Sequence, residues 1–428
     1  NKYERYKKVN LPWLKEIPNH WCIDKTKRFS ENKKEINKGN RERNILSLTL
    51  KGVVKNNIEN PNGLTPESYE TYQIFEKNDL VFKLIDLENI KTSRVGIVEE
   101  NGIMSSAYIR LVFGSSIYPK YVYYYFFKLY IEQVYNNLGS GVRSTMNSDD
   151  LRDILLPIPP IKEQVQIANY LDWKINEIDR LIQIEKEKIK QLNQTMQISI
   201  NSRYKILNLE DETNKGVKIK YLANQITQHK GEYRRYIALE NIISQKGMMK
   251  ISFDNLEFNS DGISVEKNMV IFGKLRPYLA KTIVVENKAV CSSEFLVLNP
   301  IKLMPLYLKY LMLSSKFIDL VDSSTYGTKM PRANSDFILN LKIVVPDLSE
   351  QKKVVEKILE SENRINKVIE VIIKKIESME NLKQSLISEV VTGQIDVRDI
   401  AIPEYEKVAI ADGEIEETDE MEGKEYGS

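Results

Sequence analysis

The sequence has few of the residues that build metal centres and disulfide frameworks. Its 428 residues include two cysteines and two histidines. Cys22 and Cys291 form no CxxC pair, and neither His20 nor His229 has a second ligand at a metal-like spacing. We therefore expect no bound metal and no disulfide, and we expect both cysteines to be small core residues.

Long apolar runs are also missing. No stretch approaches the ~18 consecutive apolar residues of a membrane span, and residues 1–5, NKYER, lack the apolar stretch of a secretory signal. The sequence therefore predicts a cytoplasmic protein without membrane contact. At about 150 residues per domain, its length predicts two or three domains.

Signatures of catalysis are absent as well. The sequence has no Asn/Asp-Pro-Pro-Tyr/Phe tetrapeptide of amino-methyltransferases, no GxGxxG loop and no GxxxxGK[ST] loop for ATP. Pro346 and Asp347, followed by Glu350 and Lys352, superficially resemble a nuclease signature, but both carboxylates fall within one helical turn. A helix cap is the better interpretation. We expect a non-catalytic chain, although a nucleophilic site assembled in space stays open.

The charge is distributed unevenly. Residues 404–428 contain ten Asp or Glu and two Lys, a net charge of −8, whereas the whole chain carries +2. The remaining residues 1–403 therefore carry +10. A basic body of this size is compatible with phosphate binding, but Lys and Arg also solvate helix faces, so the charge alone leaves both interpretations open.

An internal repeat organises the chain. A constant shift of 187 residues superimposes several blocks over about sixty residues, which predicts two copies of one unit. The matched blocks are Ser105-Ser106 with Ser292-Ser293, Asn147-Ser148-Asp149 with Asn334-Ser335-Asp336, Pro159 with Pro346, and Glu163-Gln164 with Glu350-Gln351.

Each copy ends in a long helical segment with apolar residues every seven positions. Both segments exceed 40 residues without Pro or Gly, which favours a coiled coil over an amphipathic helix on a globular core. At about 1.5 Å per residue, each helix would be on the order of 60 Å long. The predicted interface residues are Leu171, Ile178, Ile182, Ile189 and Leu192 in the first copy, and Ile358, Ile365, Ile372, Met379 and Leu386 in the second.

The regions before the helices mix short apolar strands with helical stretches, so the predicted fold class is α+β. We expect mixed α/β domains at 1–160 and 204–347, helices at 161–203 and 348–399, and an acidic, disordered tail at 400–428. One helical stretch is rich in aromatic residues, for which buried packing is preferred over base stacking. These residues are Tyr118, Tyr121, Tyr123, Tyr124, Tyr125, Phe126, Phe127 and Tyr130.

Four segments carry a resemblance to a known family. Residues 156–164, LPIPPIKEQ, and 343–351, IVVPDLSEQ, each followed by a long helix, resemble the central and distal conserved regions of type I restriction-modification specificity subunits. Residues 13–21, WLKEIPNHW, resemble the opening of the first target recognition domain, and 326–334, YGTKMPRAN, resemble a loop near the end of such domains. The first copy departs from that loop, since residues 139–147 read GSGVRSTMN.

The resemblance implies a division of labour between subunits. Each recognition domain would read half of a bipartite, asymmetric double-stranded DNA target, and the two helices would pack as an antiparallel coiled coil in a pseudo-two-fold repeat. Two methyltransferase subunits and endonuclease-translocase subunits would join this chain. S-adenosylmethionine, ATP and Mg²⁺ would be bound by those partners and no cofactor by this chain. The alternatives are a coiled-coil scaffold for protein interactions and an antirestriction relative without its own DNA target.

Candidate DNA contacts are basic and amide side chains near the predicted strands and the loop. Arg and Lys can hold phosphates, Arg can also contact guanine, and Asn can contact adenine in the major groove. For any one of them, a solvated surface residue is an equally good interpretation. The candidates are Lys83, Lys91, Arg94, Arg143, Ser144, Thr145 and Asn147 in the first copy, and Lys274, Arg276, Lys281, Lys329, Arg332 and Asn334 in the second.

Overall fold

The chain divides into two compact units. In the computed structural model, residues 1–184 and 375–428 form the first unit, and residues 185–374 form the second. Each long helix therefore contributes one part to each unit. The structure describes residues 2–50, 52–56, 68–85, 87, 94–138, 146–204, 216–228, 231, 233–327 and 330–408.

The first copy of the repeat mixes short strands with three α-helices among its described residues. The strands are β1 (Tyr6–Leu11), β2 (Leu14–Pro18), β3 (Cys22–Lys25), β4 (Ser30–Asn32), β5 (Leu46–Thr49), β6 (Gly52–Lys55), β7 (Gln73–Phe75), β8 (Leu80–Lys83), β9 (Arg94–Ile97), β10 (Gly102–Met104), β11 (Ile109–Phe113) and β12 (Leu155–Ile158). The helices are α1 (Pro119–Ile131), α2 (Ser148–Asp153) and the long α3 (Ile161–Asn201).

The second copy has the same kind of composition. Its strands are β13 (Val217–Lys218), β14 (Ala223–Ile226), β15 (Arg234–Ile237), β16 (Ile242–Ile243), β17 (Met248–Met249), β18 (Phe258–Asn259), β19 (Ile263–Val265), β20 (Val270–Gly273), β21 (Thr282–Val284), β22 (Ala289–Cys291), β23 (Phe295–Pro300) and β24 (Lys342–Ile343). Its helices are α4 (Pro305–Leu313), α5 (Ser315–Ser323), α6 (Ser335–Asn340) and the long α7 (Leu348–Val391).

Both copies contain a four-stranded antiparallel sheet with the same strand order, β4-β11-β8-β9 in the first and β14-β23-β20-β21 in the second. The inner strands β8 and β20 are short continuous apolar runs because they are buried on both faces. In β8, Leu80 and Phe82 face the core shared with the helices, whereas Val81 faces a second, smaller core. Val270, Ile271 and Phe272 alternate in the same way. The predicted duplication is thus present in the sheets.

The long helices pack antiparallel within the first unit. Gln166 near the start of α3 donates to the carbonyl oxygen of Val397, while Asp179, further along α3, accepts from Lys383 of α7 at 2.6 Å. The later α3 residue thus bonds to a residue that lies earlier in the second segment, as an antiparallel arrangement requires. Of the ten predicted interface residues, none is exposed. Leu171, Ile178, Ile182, Ile358 and Ile372 are buried, and Ile189, Leu192, Ile365, Met379 and Leu386 are half-buried.

A buried glutamine secures the start of each long helix. Gln164 accepts a hydrogen bond from the Tyr118 backbone N–H at 2.8 Å and donates to the carbonyl oxygens of Pro159 and Ser116 at 2.9 and 3.4 Å. Gln351 makes the equivalent bonds: it accepts the Met304 backbone N–H at 2.8 Å and donates to the carbonyl oxygens of Pro346 and Lys302 at 3.0 and 3.4 Å. Both side chains are essentially inaccessible. In each copy, two of these bonds fix the long helix to the loop before the short helix, and the third holds the proline that precedes the long helix.

In the first unit, the neighbouring Glu163 holds the N-terminal segment. Glu163 is buried and accepts hydrogen bonds from the Tyr3 hydroxyl at 2.5 Å and from Trp21 Nε1 at 3.0 Å, and His20 Nε2 lies 2.9 Å from its other oxygen. Burial, followed by the bond to Glu163, raises the pKa of the Tyr3 hydroxyl well above its usual value. The segment that resembles a recognition-domain opening is thus attached to α3. The matching Glu350 is exposed.

Both helix starts follow the sequence prediction. The Asp347 carboxylate accepts the Glu350 backbone N–H at 2.9 Å, so this aspartate is a helix cap. Pro160 opens the first turn of α3, and its carbonyl accepts the N–H of Glu163 at 2.8 Å.

The helix ends differ from the sequence prediction. Helix α3 ends at Asn201, two residues before the predicted end, and α7 ends at Val391, eight residues before residue 399. Gly393 causes the second stop. Its φ of +74° belongs to the left-handed region, and the N–H groups of Gly393 and Gln394 bond back to the carbonyls of Val390 and Glu389. This is the Schellman arrangement that terminates helices at glycine.

The start of the predicted disordered tail is ordered. Residues 400–408 contact α3, because Gln166 donates to the Ile400 carbonyl at 2.7 Å, and Asn176 exchanges hydrogen bonds with Glu406 and Val408 at 2.9 and 2.7 Å. Ile400 also packs on the core of the first unit. The prediction is therefore wrong for residues 400–408, since composition does not show these backbone contacts. Residues 409–428 lie outside the described part of the chain.

The aromatic helix α1 is packed, as the sequence predicts. Tyr121 and Tyr125 are fully buried, and their hydroxyls donate to the carbonyls of Pro157 and Leu155, both at 2.9 Å. Burial raises the pKa of both hydroxyls.

The two cysteines differ from each other. Cys291 is buried, which raises the pKa of its thiol to about 12, whereas Cys22 is exposed. The core prediction is thus wrong for Cys22, which lies at the start of strand β3 where its side chain faces outwards.

Replacing one buried glutamine tests its role within its own copy. In Gln164→Leu, the Tyr118 N–H loses its buried acceptor, and the unfolding free energy of the first unit should fall by about 2–3 kcal/mol. Hydrogen exchange measured by mass spectrometry should show faster exchange of the Tyr118 amide but not of the Met304 amide. Gln351→Leu is the matched control and should reverse the pattern. Unchanged Tyr118 exchange in Gln164→Leu would contradict this role.

Two glycines with nearly equal φ separate backbone strain from packing. Gly39 (φ +72°) has open space around an added Cβ, whereas at Gly393 (φ +74°) a Cβ would overlap the Pro18 ring and lie 3.0 Å from Trp21. Gly39→Ala should therefore cost about 1 kcal/mol, and Gly393→Ala about 2 kcal/mol more because of overpacking. Urea unfolding measures both. Equal losses would mean that the end of α7 does not depend on this contact.

Candidate nucleic-acid interface

Three loops of the second unit meet at one place. The loop after β20 pairs with residues 331–333: the Ala333 N–H donates to the Lys274 carbonyl at 2.9 Å, and the Arg276 N–H donates to the Pro331 carbonyl at 2.8 Å. The turn before β23 joins them, because the Lys274 N–H donates to the Glu294 carbonyl at 2.8 Å. Three of the candidates, Lys274, Arg276 and Arg332, therefore lie in backbone segments that meet.

The backbone here adopts conformations that side chains disfavour. Arg276 and Ala280 have φ of +50° and +47° on either side of a short 3₁₀ turn, Pro277–Leu279. Residues with side chains seldom enter the left-handed region, and such strain concentrates at functional sites. Both residues flank the turn that follows β20, and the Arg276 side chain is exposed.

The Arg332 side chain is held by a carboxylate. Its Nε and Nη2 donate to the two oxygens of Glu294 at 3.1 and 2.5 Å. The side chains keep 48% and 29% of their exposure, so the pair remains open to a ligand. The Arg332 backbone is fixed in turn, since it exchanges hydrogen bonds with Tyr326 at 3.1 and 3.3 Å.

The two candidate asparagines are helix caps. Asn147 Oδ1 accepts the N–H groups of Asp149 and Asp150 at the start of α2, with the Asp150 side chain completing a capping box. Asn334 Oδ1 accepts the Asp336 N–H at 2.8 Å at the start of α6. Their side-chain oxygens are therefore engaged locally.

Two other candidates have different surroundings. The ammonium of Lys281 donates to the Leu239 carbonyl at 2.9 Å, a contact within the fold. Lys83 ends β8 directly opposite Arg94 of β9 and is half-buried. The Arg94 side chain and the candidates Lys91, Arg143, Ser144, Thr145 and Lys329 lie outside the described residues.

The equivalent place in the first unit has a cavity of about 290 Å³. It lies between the end of β8 and the start of α2, which meet where the Met146 N–H donates to the Leu84 carbonyl at 3.3 Å. Asn147 lines it together with Asn32 and Lys34. The first unit thus has a concave surface of mixed polar and apolar side chains beside Asn147.

Sequence reasoning missed Glu294, Asn32 and Lys34. A signal for Glu294 existed, because it follows the repeated Ser292-Ser293 pair, and its equivalent Ala107 follows Ser105-Ser106. Both turns are built alike: Ser292 Oγ accepts the Glu294 N–H at 3.2 Å, and Ser105 Oγ accepts the Ala107 N–H at 3.3 Å. The two turns therefore share their hydrogen bonding, and the Glu294 carboxylate is a side-chain difference between the copies.

Membrane-spanning helices and metal sites are both absent from the described part of the chain. Within those ranges, no helix has the length and apolar character needed to cross a bilayer. Among the same residues, no group of three or more His, Cys, Asp or Glu side chains is arranged to hold a metal ion.

Comparison with known proteins identifies the repeated unit. The family model described as "Type I restriction modification DNA specificity domain" matches residues 14–194 and again residues 198–378. The chain belongs to the type I restriction-modification specificity family. Its duplication is thus a pair of DNA specificity domains, each with a mixed domain followed by a long helix.

Relatives with curated names agree. The chain is 23% identical over 336 residues to the type I restriction enzyme MjaVIII specificity subunit of Methanocaldococcus jannaschii, covering 70% of this chain and 76% of that protein. It is 23% identical over 140 residues to the EcoDI specificity subunit of Escherichia coli, covering 32% and 31% of the two chains.

A solved structure shares the fold. It comes from work on complex assembly and conformational transition of the type I R-M system, and it superimposes with a TM-score of 0.62 at 11% identity. The match covers 89% of this chain and 99% of that one.

Substitutions at Asn334 separate capping from DNA contact. Asn334→Ala removes the capping oxygen and should lower the unfolding free energy by about 1 kcal/mol. Asn334→Asp keeps a capping oxygen and adds a negative charge beside the positive N-terminal end of the helix dipole. Its unfolding free energy should therefore stay within about 0.5 kcal/mol of that of the unmodified chain. Urea unfolding tests this. If both variants lost equal stability, the amide and not the oxygen would matter to the fold.

Proposed function

We propose that this specificity subunit reads a bipartite, asymmetric DNA target and positions the catalytic subunits of a type I restriction-modification complex on it. The observation that carries the proposal is the double match to a DNA specificity domain. Each copy presents a candidate surface at the same place in its fold, and the two surfaces differ in side chains. Two different readers in one chain predict two different half-sites.

The proposed partners are two methyltransferase subunits and endonuclease-translocase subunits. We propose that the chain itself is non-catalytic and acts in the cytoplasm, where the host DNA is. Its sequence contains neither the methyltransferase tetrapeptide nor a glycine-rich ATP loop. S-adenosylmethionine, ATP and Mg²⁺ would accordingly be bound by the partner subunits. Methylation of an adenine would require those subunits to extrude the base from the duplex.

Selection from a randomised duplex library tests the proposal. The full chain is assembled with the methyltransferase subunits of its host, and bound duplexes are sequenced at several salt concentrations. We expect two short, unlike blocks separated by a fixed number of unspecified base pairs. The logarithm of the binding constant should fall linearly with the logarithm of the salt concentration. The slope should be about −0.9 per phosphate contacted.

The methyltransferase subunits alone are the matched control and should select no such motif. Methylome sequencing of cells carrying the complex should recover the same split motif. A continuous or symmetric motif would contradict the two-reader proposal. Equal binding to all duplexes would instead favour a scaffold or an antirestriction relative.

A further inference from the structure

The Arg332–Glu294 pair leaves half of the guanidinium available. Arginine has five N–H donors, of which Nε and one Nη2 hydrogen bond to Glu294. Among the described residues, Nη1 and the second Nη2 hydrogen have no other partner. These two groups form a planar fork that matches two adjacent acceptors. In a DNA major groove, the N7 and O6 atoms of guanine present that pattern.

The carboxylate favours a base over a phosphate as the occupant of the fork. A phosphate placed against Arg332 would also lie close to the like-charged Glu294 and be repelled by it. The edge of a guanine carries no net charge. In addition, a carboxylate can accept a hydrogen bond from N4 of the paired cytosine.

Stability does not explain the pair. An ion pair with this degree of exposure contributes little to folding, because water already solvates both charges. The pair instead orients the Arg332 guanidinium. A free arginine side chain samples many rotamers and loses that conformational entropy on binding, whereas the paired side chain is already ordered. The backbone of Arg332 is already fixed between Tyr326 and Leu275. Both ends of the side chain are thus set before a ligand arrives.

The first copy lacks this device. The shift of 187 residues carries Glu294 onto Ala107 and Arg332 onto Thr145. The serine turn that positions Ala107 has the same hydrogen bonds as the turn that positions Glu294. The frame is therefore shared, and the charged pair belongs to the second copy alone.

We propose that Arg332 reads a guanine in the half-site bound by the second copy, and that Glu294 is the positioning residue that presents its guanidinium. The inference rests on the proposed function, because it takes duplex DNA as the ligand. It adds the base that is read, the residue that reads it, and the half-site in which this occurs.

The test uses the full chain assembled with its methyltransferase subunits and a randomised duplex library. Arg332→Lys keeps the charge but loses the planar fork, so preference for guanine at one position should fall on the order of 10- to 100-fold. The other half-site should be unchanged. Glu294→Gln should cause a smaller loss at the same position and no further loss when combined with Arg332→Lys. Such non-additivity is expected of two residues acting as one unit.

Arg28→Ala is the matched control, because Arg28 also pairs with a carboxylate, that of Asp24, at 2.6 Å. It should leave both half-sites unchanged. Thermal unfolding of each variant shows that the selections compare folded proteins.

The outcomes are distinguishable. If the unmodified complex selects no motif, both the proposed function and this inference fail. If it selects a split motif but Arg332→Lys changes no position, or weakens all sequences equally as loss of a phosphate contact would, this inference alone fails. If Arg332→Lys changes one position and Glu294→Gln changes none, the positioning role of Glu294 is wrong.

Discussion

A buried side-chain amide at the start of each long helix connects segments that are far apart in the sequence. Gln164 and Gln351 each accept one backbone N–H and donate to two backbone carbonyls. An amide suits this position because it both donates and accepts, which a carboxylate or an ammonium cannot do. Once the amide is in place, the short helix, the last strand and the long helix of a copy have fixed relative positions. The candidate loops are set by that frame, since they precede the last strand.

The two copies share the backbone of their loops but differ in the side chains that those loops carry. The serine turns at Ser105 and Ser292 are alike in their hydrogen bonds, yet the next side chain is a methyl group in Ala107 and a carboxylate in Glu294. Backbone bonds hold the loop whichever side chain it carries. A recognition surface can therefore be altered by substitutions that do not unfold the domain.

Local and periodic features could be predicted from the sequence. The heptads, the Asp347 cap, the packing of the tyrosines on α1 and the duplication all depend on residues close together or on a constant spacing. The Glu163 contacts could not be predicted, because a charged residue reads the same whether it is solvated or buried, and its partner Tyr3 is 160 residues away. Of the candidate DNA contacts, Lys274, Arg276 and Arg332 lie in loops that meet in the second unit, whereas Glu294 was missed for the same reason as Glu163.

The discontinuous make-up of the first unit has a consequence for synthesis on the ribosome. Its core contains Trp21 and Leu171, but also Val390 and Val397, which are among the last described residues to be translated. The second unit is continuous in sequence, from 185 to 374. Chains emerge at about 5–20 residues per second, so the first half waits on the order of ten seconds or more for the residues that cover its apolar surface. During that interval it is the part of the nascent chain most exposed to chaperones and to aggregation.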